Sequence, residues 1–149
     1  MSESPPRKIA IDHDDYHAKF VGWTADGRQF ILTMPFQPGT GLAPGREFIA
    51  LYLFNREGDL LEAKVDDLGL RGMVDQVGAG QLHDQRLKEL GDIRFGRVEV
   101  APFTIRRFNI EFGLIVRMPE EDDDVWAVEM QPGNFMAFFA PWDSGEYDT

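Results

Sequence analysis

The sequence predicts one α+β domain over residues 1–149, with a predominantly antiparallel β-sheet of about seven to nine strands built from hairpins and one main helix near residues 79–90. Three observations lead to this fold class. Short apolar runs with a period of two recur along the chain, glycine-containing turn sequences separate them, and a single stretch shows clear helical spacing. A length of 149 residues fits one domain, and a hydrophobic content of 43% suffices for a packed core.

The first predicted hairpin follows an N-terminal segment, residues 1–7, which is expected to be flexible because it holds two serines and two prolines. Residues 17–24 and 28–36 flank Ala25-Asp26-Gly27, and an Asp-Gly step between apolar runs is a strong hairpin signal. In the second run, alternate residues are large and apolar and should share one buried face. These residues are Phe30, Leu32, Met34 and Phe36.

A second hairpin is predicted after the Gly- and Pro-rich loop at residues 37–45. Phe48–Phe54 is apolar at every position, which is typical of a central strand covered on both faces. Asn55–Asp59 has the composition of a turn. The strand after it should be half exposed, because apolar and charged residues alternate over residues 61–66.

The main helix is predicted because four apolar residues fall within one arc at 100° per residue. These residues are Ala79, Leu82, Leu87 and Leu90. Gly91 is expected to end the helix. For residues 67–77, which mix apolar residues with two glycines, a loop and a short helix both remain open.

The β pattern returns after the helix. Residues 93–100 predict a strand with a bulge near Gly96, and strict alternation predicts another strand over residues 108–118. A final hairpin is predicted from residues 125–130 and 135–140, which flank a turn at 131–134.

The charge of the chain is concentrated at its end. Fifteen basic residues against 26 acidic ones give a formal net charge of −11. Through Arg117 the net charge is −2, and the residues from Met118 onward contain nine acids and no base. This balance argues against a surface that grips nucleic acid, so direct nucleic-acid binding is not expected.

Several chemistries are disfavoured by composition. The chain has no cysteine, and its three serines, Ser2, Ser4 and Ser144, lie near the termini, so a thiol or serine nucleophile is not expected. The Gly-rich segments 39–46 and 78–80 lack the spacing of nucleotide-binding loops. No cofactor is therefore predicted.

A metal site is the catalytic chemistry that the sequence supports best. His13 and His17 lie among Asp12, Asp14 and Asp15, and imidazole with carboxylate suits zinc, iron or manganese. The alternative is an exposed polar turn before the first hairpin. Both interpretations remain open.

A partner-binding surface is predicted at the C-terminal end. Its candidate residues combine aromatic side chains with a run of acids, a pairing that suits a protein partner, especially a basic one. They are Trp142, Tyr147, Asp143, Glu120, Glu121, Asp122, Asp123 and Asp124. Residues 143–149 form either a mobile acidic tail or an ordered segment that packs through its aromatic residues.

The sequence contains no apolar run near the roughly 20 residues that a membrane helix needs, and no apolar core follows the basic pair near its start. A cytoplasmic protein without membrane association is expected. Self-association of edge strands into a homo-oligomer stays open.

Four stretches carry a resemblance to known proteins: Ala10–Asp15 leading into Trp23-Thr-Ala-Asp-Gly27, Leu51-Tyr-Leu-Phe54, Leu90-Gly-Asp-Ile93 through Pro102-Phe103, and Phe112-Gly-Leu-Ile115. In these stretches the sequence resembles a group of small, largely uncharacterised bacterial proteins, some of which carry the label formate hydrogenlyase regulatory protein. The resemblance implies a regulatory role and carries over no site residue, because none of the stretches is a chemical motif.

These observations favour a non-enzymatic binding or regulatory module that uses the acidic, aromatic-containing C-terminal surface. Two alternatives are kept. One is a metal-assisted enzyme that uses His13, His17 and the nearby carboxylates. The other is an acidic immunity-type or decoy protein that blocks a basic partner.

Overall fold

The computed structural model describes residues 5–14, 18–121, 124–133, 136–142 and 145–147. These residues form one α-helix and thirteen strands in three antiparallel sheets, which confirms the α+β class. In chain order the elements are β1 (Ile9–Ile11), β2 (Val21–Thr24), β3 (Gln29–Thr33), β4 (Phe36–Gln37), β5 (Arg46–Phe54), β6 (Leu60–Leu70), α1 (Gln76–Lys88), β7 (Ile93–Phe95), β8 (Val98–Val100), β9 (Phe103–Arg107), β10 (Ile110–Arg117), β11 (Ala127–Gln131), β12 (Met136–Phe138) and β13 (Gly145–Tyr147). The strands outnumber the predicted seven to nine because several have only two or three residues, too few to show an alternating pattern.

The largest sheet has six strands, and β5 lies at its centre. β5 pairs with β6 along one edge and with β3 and β4 along the other, and the sheet continues from β3 through β2 to β7. The β2–β3 hairpin confirms the prediction from the Asp-Gly step, with Gly27 at a φ of 87°. The β5–β6 turn likewise confirms the turn predicted at residues 55–59.

β5 contributes to two separate cores, as its continuous apolar run predicts. Phe48, Ala50, Tyr52 and Phe54 are buried in a core shared with the other two sheets. The intervening Ile49, Leu51 and Leu53 pack on the opposite face, against a smaller core that includes Leu82 and Leu87 of α1. The six-stranded sheet is therefore covered on both faces, by the helix and by the other sheets.

The second layer is a five-stranded sheet in the order β13-β12-β11-β10-β9. Its inward side chains include Phe112, Leu114, Val128, Met130 and Phe138, all with at most 2% of their surface exposed. The predicted last hairpin is confirmed by the pairing of β11 with β12. A two-stranded sheet of β1 and β8 adds to the same core.

The strand predicted over residues 108–118 begins later than its alternating pattern indicates. Phe108 and Asn109 have φ values of 54° and 61° and form the turn between β9 and β10. Two consecutive residues with positive φ make a tight hairpin turn, and Phe-Asn lacks the Asn-Gly or Asp-Gly pattern that usually predicts one. Phe108 is half exposed, not an inward strand residue.

Three further boundaries differ from the sequence prediction. Residues 93–100 form two strands in different sheets, β7 and β8, instead of one bulged strand. For residues 67–77, the structure shows the end of β6, a short turn and the start of α1. The helix spans Gln76–Lys88, so it begins three residues and ends two residues before the predicted bounds of 79 and 90. Gly91 follows it with a φ of 75°.

Candidate functional site

In the described part of the predicted metal-binding segment, each polar side chain contacts a different partner. Asp12 forms an ion pair with Arg97, with 2.8 Å between Oδ1 and Nη1. The Nε2 atom of His13 lies 2.9 Å from the carbonyl oxygen of Lys19, and Asp14 accepts a hydrogen bond from the N–H of Ala18. Among the described residues, no group of three or more His, Asp or Glu side chains converges on a point where a metal could bind.

Asp15 and His17 lie outside the described residues, so the predicted metal site stays a prediction. Within the part that is seen, the ring of His13 stacks on Phe95 with 5.3 Å between centroids. That contact and the hydrogen bond to the Lys19 carbonyl occupy one face of the imidazole and one of its nitrogens.

His83, which the sequence analysis gave no site role, is a core residue on α1. Its side chain is buried and meets Phe20 edge to face, with 4.4 Å between ring centroids. Burial lowers the pKa of His83; nearby Lys19 acts in the same direction, and Asp84 opposes it. The neutral imidazole is therefore the favoured form inside the fold.

The acidic loop begins where β10 ends. Asp124 accepts hydrogen bonds through Oδ2 from the backbone N–H groups of Glu120 and Glu121, at 3.2 and 3.1 Å. Asp124 thus shapes the loop, while Glu120 and Glu121 remain exposed. Asp122 and Asp123 lie outside the described residues.

Two large apolar side chains flank these acids. Met118 is 69% exposed and Val125 is 52% exposed. We call the surface formed by Met118, Glu120, Glu121, Asp124 and Val125 the acidic end. Exposed apolar side chains beside charged ones are a common composition for protein-binding surfaces.

The segment that carries Trp142 and the acidic end both follow strands that finish at the same end of the five-stranded sheet. Arg117 at the end of β10 pairs with Ala127 at the start of β11, and Val128 pairs with Phe138 at the end of β12. The segments that follow Arg117 and Phe138 therefore emerge side by side. Four residues of the predicted mobile tail, Asp143 and residues 144, 148 and 149, lie outside the described residues.

Basic residues outnumber acidic ones around Trp142. Its side chain is half buried against the main core, and its carbonyl oxygen accepts a hydrogen bond from the N–H of Ala10 at 2.8 Å. It lines a cleft of about 390 Å³ together with three basic residues, Arg7, Lys8 and Arg97, and one acid, Glu99. The backbone of the segment Gly145–Tyr147 pairs with β12, so this part of the predicted tail, which includes the backbone of Tyr147, forms a strand.

A larger cleft, which the sequence analysis missed, lies where the β2–β3 and β5–β6 turns meet the segment before β7. Its volume is about 540 Å³. We call it the arginine cleft and define it by Trp23, Thr24, Gly27, Arg56, Asp92 and Arg94. Its residues are separated by up to about seventy positions in sequence, so no local motif could reveal it.

Comparison with known proteins gives no match to a family model, to a curated protein or to a solved structure. The resemblance to the small bacterial group therefore stays an expectation. In the part of the chain that the structure describes, no helix is both long and apolar enough to cross a membrane.

Proposed function

We propose that this protein is a non-enzymatic binding or regulatory module whose acidic end docks a basic, partly apolar segment of another protein. The observation that carries the proposal is the exposure of Met118 and Val125, two apolar residues that precede and follow Glu120 and Glu121 in the sequence. Apolar anchors supply binding free energy, and the surrounding charge selects the partner and accelerates encounter.

The charge distribution supports a basic partner. Nine of the acidic residues lie beyond Arg117, and no base follows it in the sequence. Glu129 is neutralised by Arg117, whose Nε lies 2.6 Å from Oε1. The carboxylates of Glu120 and Glu121 have no such counterion within the described residues and are available to lysine or arginine side chains.

The test uses a synthetic peptide of alternating lysine and leucine residues as the probe. Binding to the wild-type protein is measured by calorimetry at two salt concentrations. Exposed charge pairs are worth about 0.5–1 kcal/mol each, so Glu120→Gln combined with Glu121→Gln should weaken binding by about five- to thirtyfold. Met118→Ser should weaken it as well, because the methionine would lose apolar burial.

The matched control carries Glu62→Gln and Glu111→Gln, which remove two exposed acids elsewhere and change the net charge by the same amount. This control should bind the peptide nearly as well as the wild type. Equal losses in both double variants would show that only the overall charge matters, and the acidic end would lose its role. Binding that does not weaken at high salt would have the same meaning.

An acidic decoy that blocks a basic protein would use the same surface. It differs in its consequence, because the bound partner would lose its own activity. The alternative of a metal-assisted enzyme with His13 and His17 has no supporting cluster of metal ligands among the described residues.

A further inference from the structure

We propose that the arginine cleft binds a phosphorylated small molecule with a planar ring, of about the size of a mononucleotide. Arg56 and Arg94 hold the phosphate, and Trp23 and Asp92 contact the rest of the ligand. A volume of about 540 Å³ lies in the range of small-molecule sites. The arginine cleft shares no residue with the acidic end.

The two guanidinium groups of the cleft favour an anionic ligand. Neither Arg56 nor Arg94 donates a side-chain hydrogen bond or forms an ion pair within the described residues. Five other arginines do form ion pairs in this strongly acidic chain: Arg28, Arg46, Arg86, Arg97 and Arg117. Two guanidiniums that line one cleft and form no ion pair with Asp92, the carboxylate that lines it with them, suit an oxyanion, since their planar donors match phosphate oxygens.

A buried side chain supports the backbone that carries Arg56. Gln29 is only 1% exposed and donates through Nε2 to the carbonyl oxygens of Asn55 and Arg56, both at 3.3 Å. Its Oε1 accepts from the N–H of Glu99 at 2.7 Å. One buried amide thus ties the turn that carries Arg56 to β3 and β8. A fixed backbone lowers the entropy lost when the guanidinium binds a ligand.

The side chain of Arg56 approaches Gly27 closely. A Cβ atom at position 27 would lie 2.6 Å from Nη2 of Arg56, and the φ of 87° there already favours glycine. The guanidinium therefore lies directly over the β2–β3 turn. The N–H of Ala25 donates to the carbonyl oxygen of Asp92 at 3.0 Å, which joins this turn to the segment that leads to Arg94.

The rest of the ligand would meet Trp23 and Asp92. Trp23 lies opposite Arg94 in the β2–β7 register, so the two side chains emerge on the same face of the sheet. The indole Nε1 donates to the carbonyl oxygen of Arg97 at 2.9 Å, which holds the ring in place. An aromatic ring beside a phosphate-binding arginine suits a ligand with a planar base, and the Asp92 carboxylate can accept from a sugar hydroxyl.

The test is calorimetric titration of the 149-residue chain with adenosine monophosphate and, separately, with ribose 5-phosphate, which lacks the planar base. Adenosine monophosphate should bind at least about tenfold more tightly, because stacking on one aromatic side chain is worth about that much. Equal affinities would overturn the assignment of Trp23 to a planar ring. Absence of binding by both probes would overturn the site itself.

Arg56→Gln and Arg94→Gln should each weaken adenosine monophosphate binding by about tenfold or more, because a charge-assisted hydrogen bond is lost. Both side chains are exposed, so the thermal midpoint should not change. Arg107→Gln is the control, because it removes the same charge from the β9–β10 hairpin, where the guanidinium donates to the Arg106 carbonyl. An equal loss in the control would show that the anion responds only to net charge, and the proposal would fail.

Discussion

Replacing Tyr52 by phenylalanine should stabilise the protein, although most substitutions at fully buried positions destabilise. Tyr52 is 1% exposed, and its hydroxyl has no hydrogen-bond partner within the described residues. Its ring meets Phe103 edge to face, with 4.8 Å between centroids, and phenylalanine would keep that contact. The substitution therefore removes an unsatisfied polar group and leaves the packing in place.

The size of the effect follows from the cost of an unpaired buried hydroxyl, which is about 1–3 kcal/mol. Part of this gain is offset by lost dispersion contacts of the oxygen atom, so we expect the free energy of unfolding to rise by about 1 kcal/mol. For a chain of 149 residues, the entropy of unfolding is about 0.3 kcal/mol per kelvin, so the melting temperature should rise by about 3 °C.

Urea denaturation of the wild type and the Tyr52→Phe variant, followed by tryptophan fluorescence, measures this difference. Phe54→Tyr is the reverse control, since Phe54 is also fully buried and its ring lies 5.5 Å from that of Phe103. It should destabilise, because it buries a new hydroxyl. A loss of more than about 0.5 kcal/mol in Tyr52→Phe would refute the reasoning and mean that the native hydroxyl has a partner.

The burial of the Tyr52 hydroxyl should also change how stability depends on pH. Burial raises the pKa of Tyr52 above its ordinary value of 10, so the folded state keeps the proton when the unfolded state loses it. Above pH 10 the unfolded state then binds fewer protons, and stability falls by about 1.4 kcal/mol per pH unit from this group. The Tyr52→Phe variant should lack this part of the decline, and the gap between the two proteins should widen as pH rises.

Three other changes have defined outcomes. Gln29→Ala should lower the free energy of unfolding by about 2 kcal/mol in urea denaturation, because it leaves the part-buried N–H of Glu99 and the carbonyl oxygen of Arg56 without these partners, while the Asn55 carbonyl keeps its hydrogen bond from Gly58. Arg86→Ala should cost about 1–2 kcal/mol, because it breaks a 2.9 Å ion pair with Asp66 that joins α1 to β6; a double-mutant cycle with Asp66→Ala should show that the two losses are not additive. His83→Leu should make the protein less sensitive to acid. Burial lowers the pKa of His83 in the folded state below its unfolded value of 6.5, so the unfolded state binds more protons and the wild type loses stability as the pH falls below about 6.5. If the melting temperatures of both proteins fall by the same amount over this pH range, the prediction is wrong.

Local sequence patterns were sufficient for the elements that depend on neighbouring residues. The Asp26-Gly27 turn, the two-sided β5 strand and the final hairpin were all predicted from a period or a turn residue and are present. The β9–β10 hairpin was missed because Phe108 and Asn109 adopt positive φ without a glycine. Tertiary packing, in which Phe108 stacks on Phe48 at 5.9 Å, accompanies a turn that local propensity does not favour.

The arginine cleft was missed for a different reason. Its parts come from the β2–β3 turn, the β5–β6 turn and the segment before β7, and only the β2–β3–β5 pairing and the β2–β7 pairing bring them together. Sequence reasoning could identify Asp26-Gly27 and Asn55–Asp59 as turns, yet it could not place Arg56 beside Gly27. The acidic loop was found because its signal, a run of like charges, lies in consecutive residues.

The salt dependence of binding should differ between the two proposed sites, because their ligands interact with charges at different distances. A basic peptide on the acidic end is attracted by several exposed carboxylates, and added salt screens such interactions within about 8–10 Å, so its affinity should fall steeply. A phosphate in the arginine cleft is attracted by Arg56 and Arg94 at hydrogen-bond distance, but it is repelled by the net charge of −11 carried by the whole chain. Salt weakens that distant repulsion more than it weakens the short contacts, so the affinity for adenosine monophosphate should change much less, in a salt whose anion does not compete. Parallel salt series on one preparation therefore test both sites, and a steep loss of nucleotide binding would argue that the anion is held by diffuse charge and not by two oriented guanidiniums.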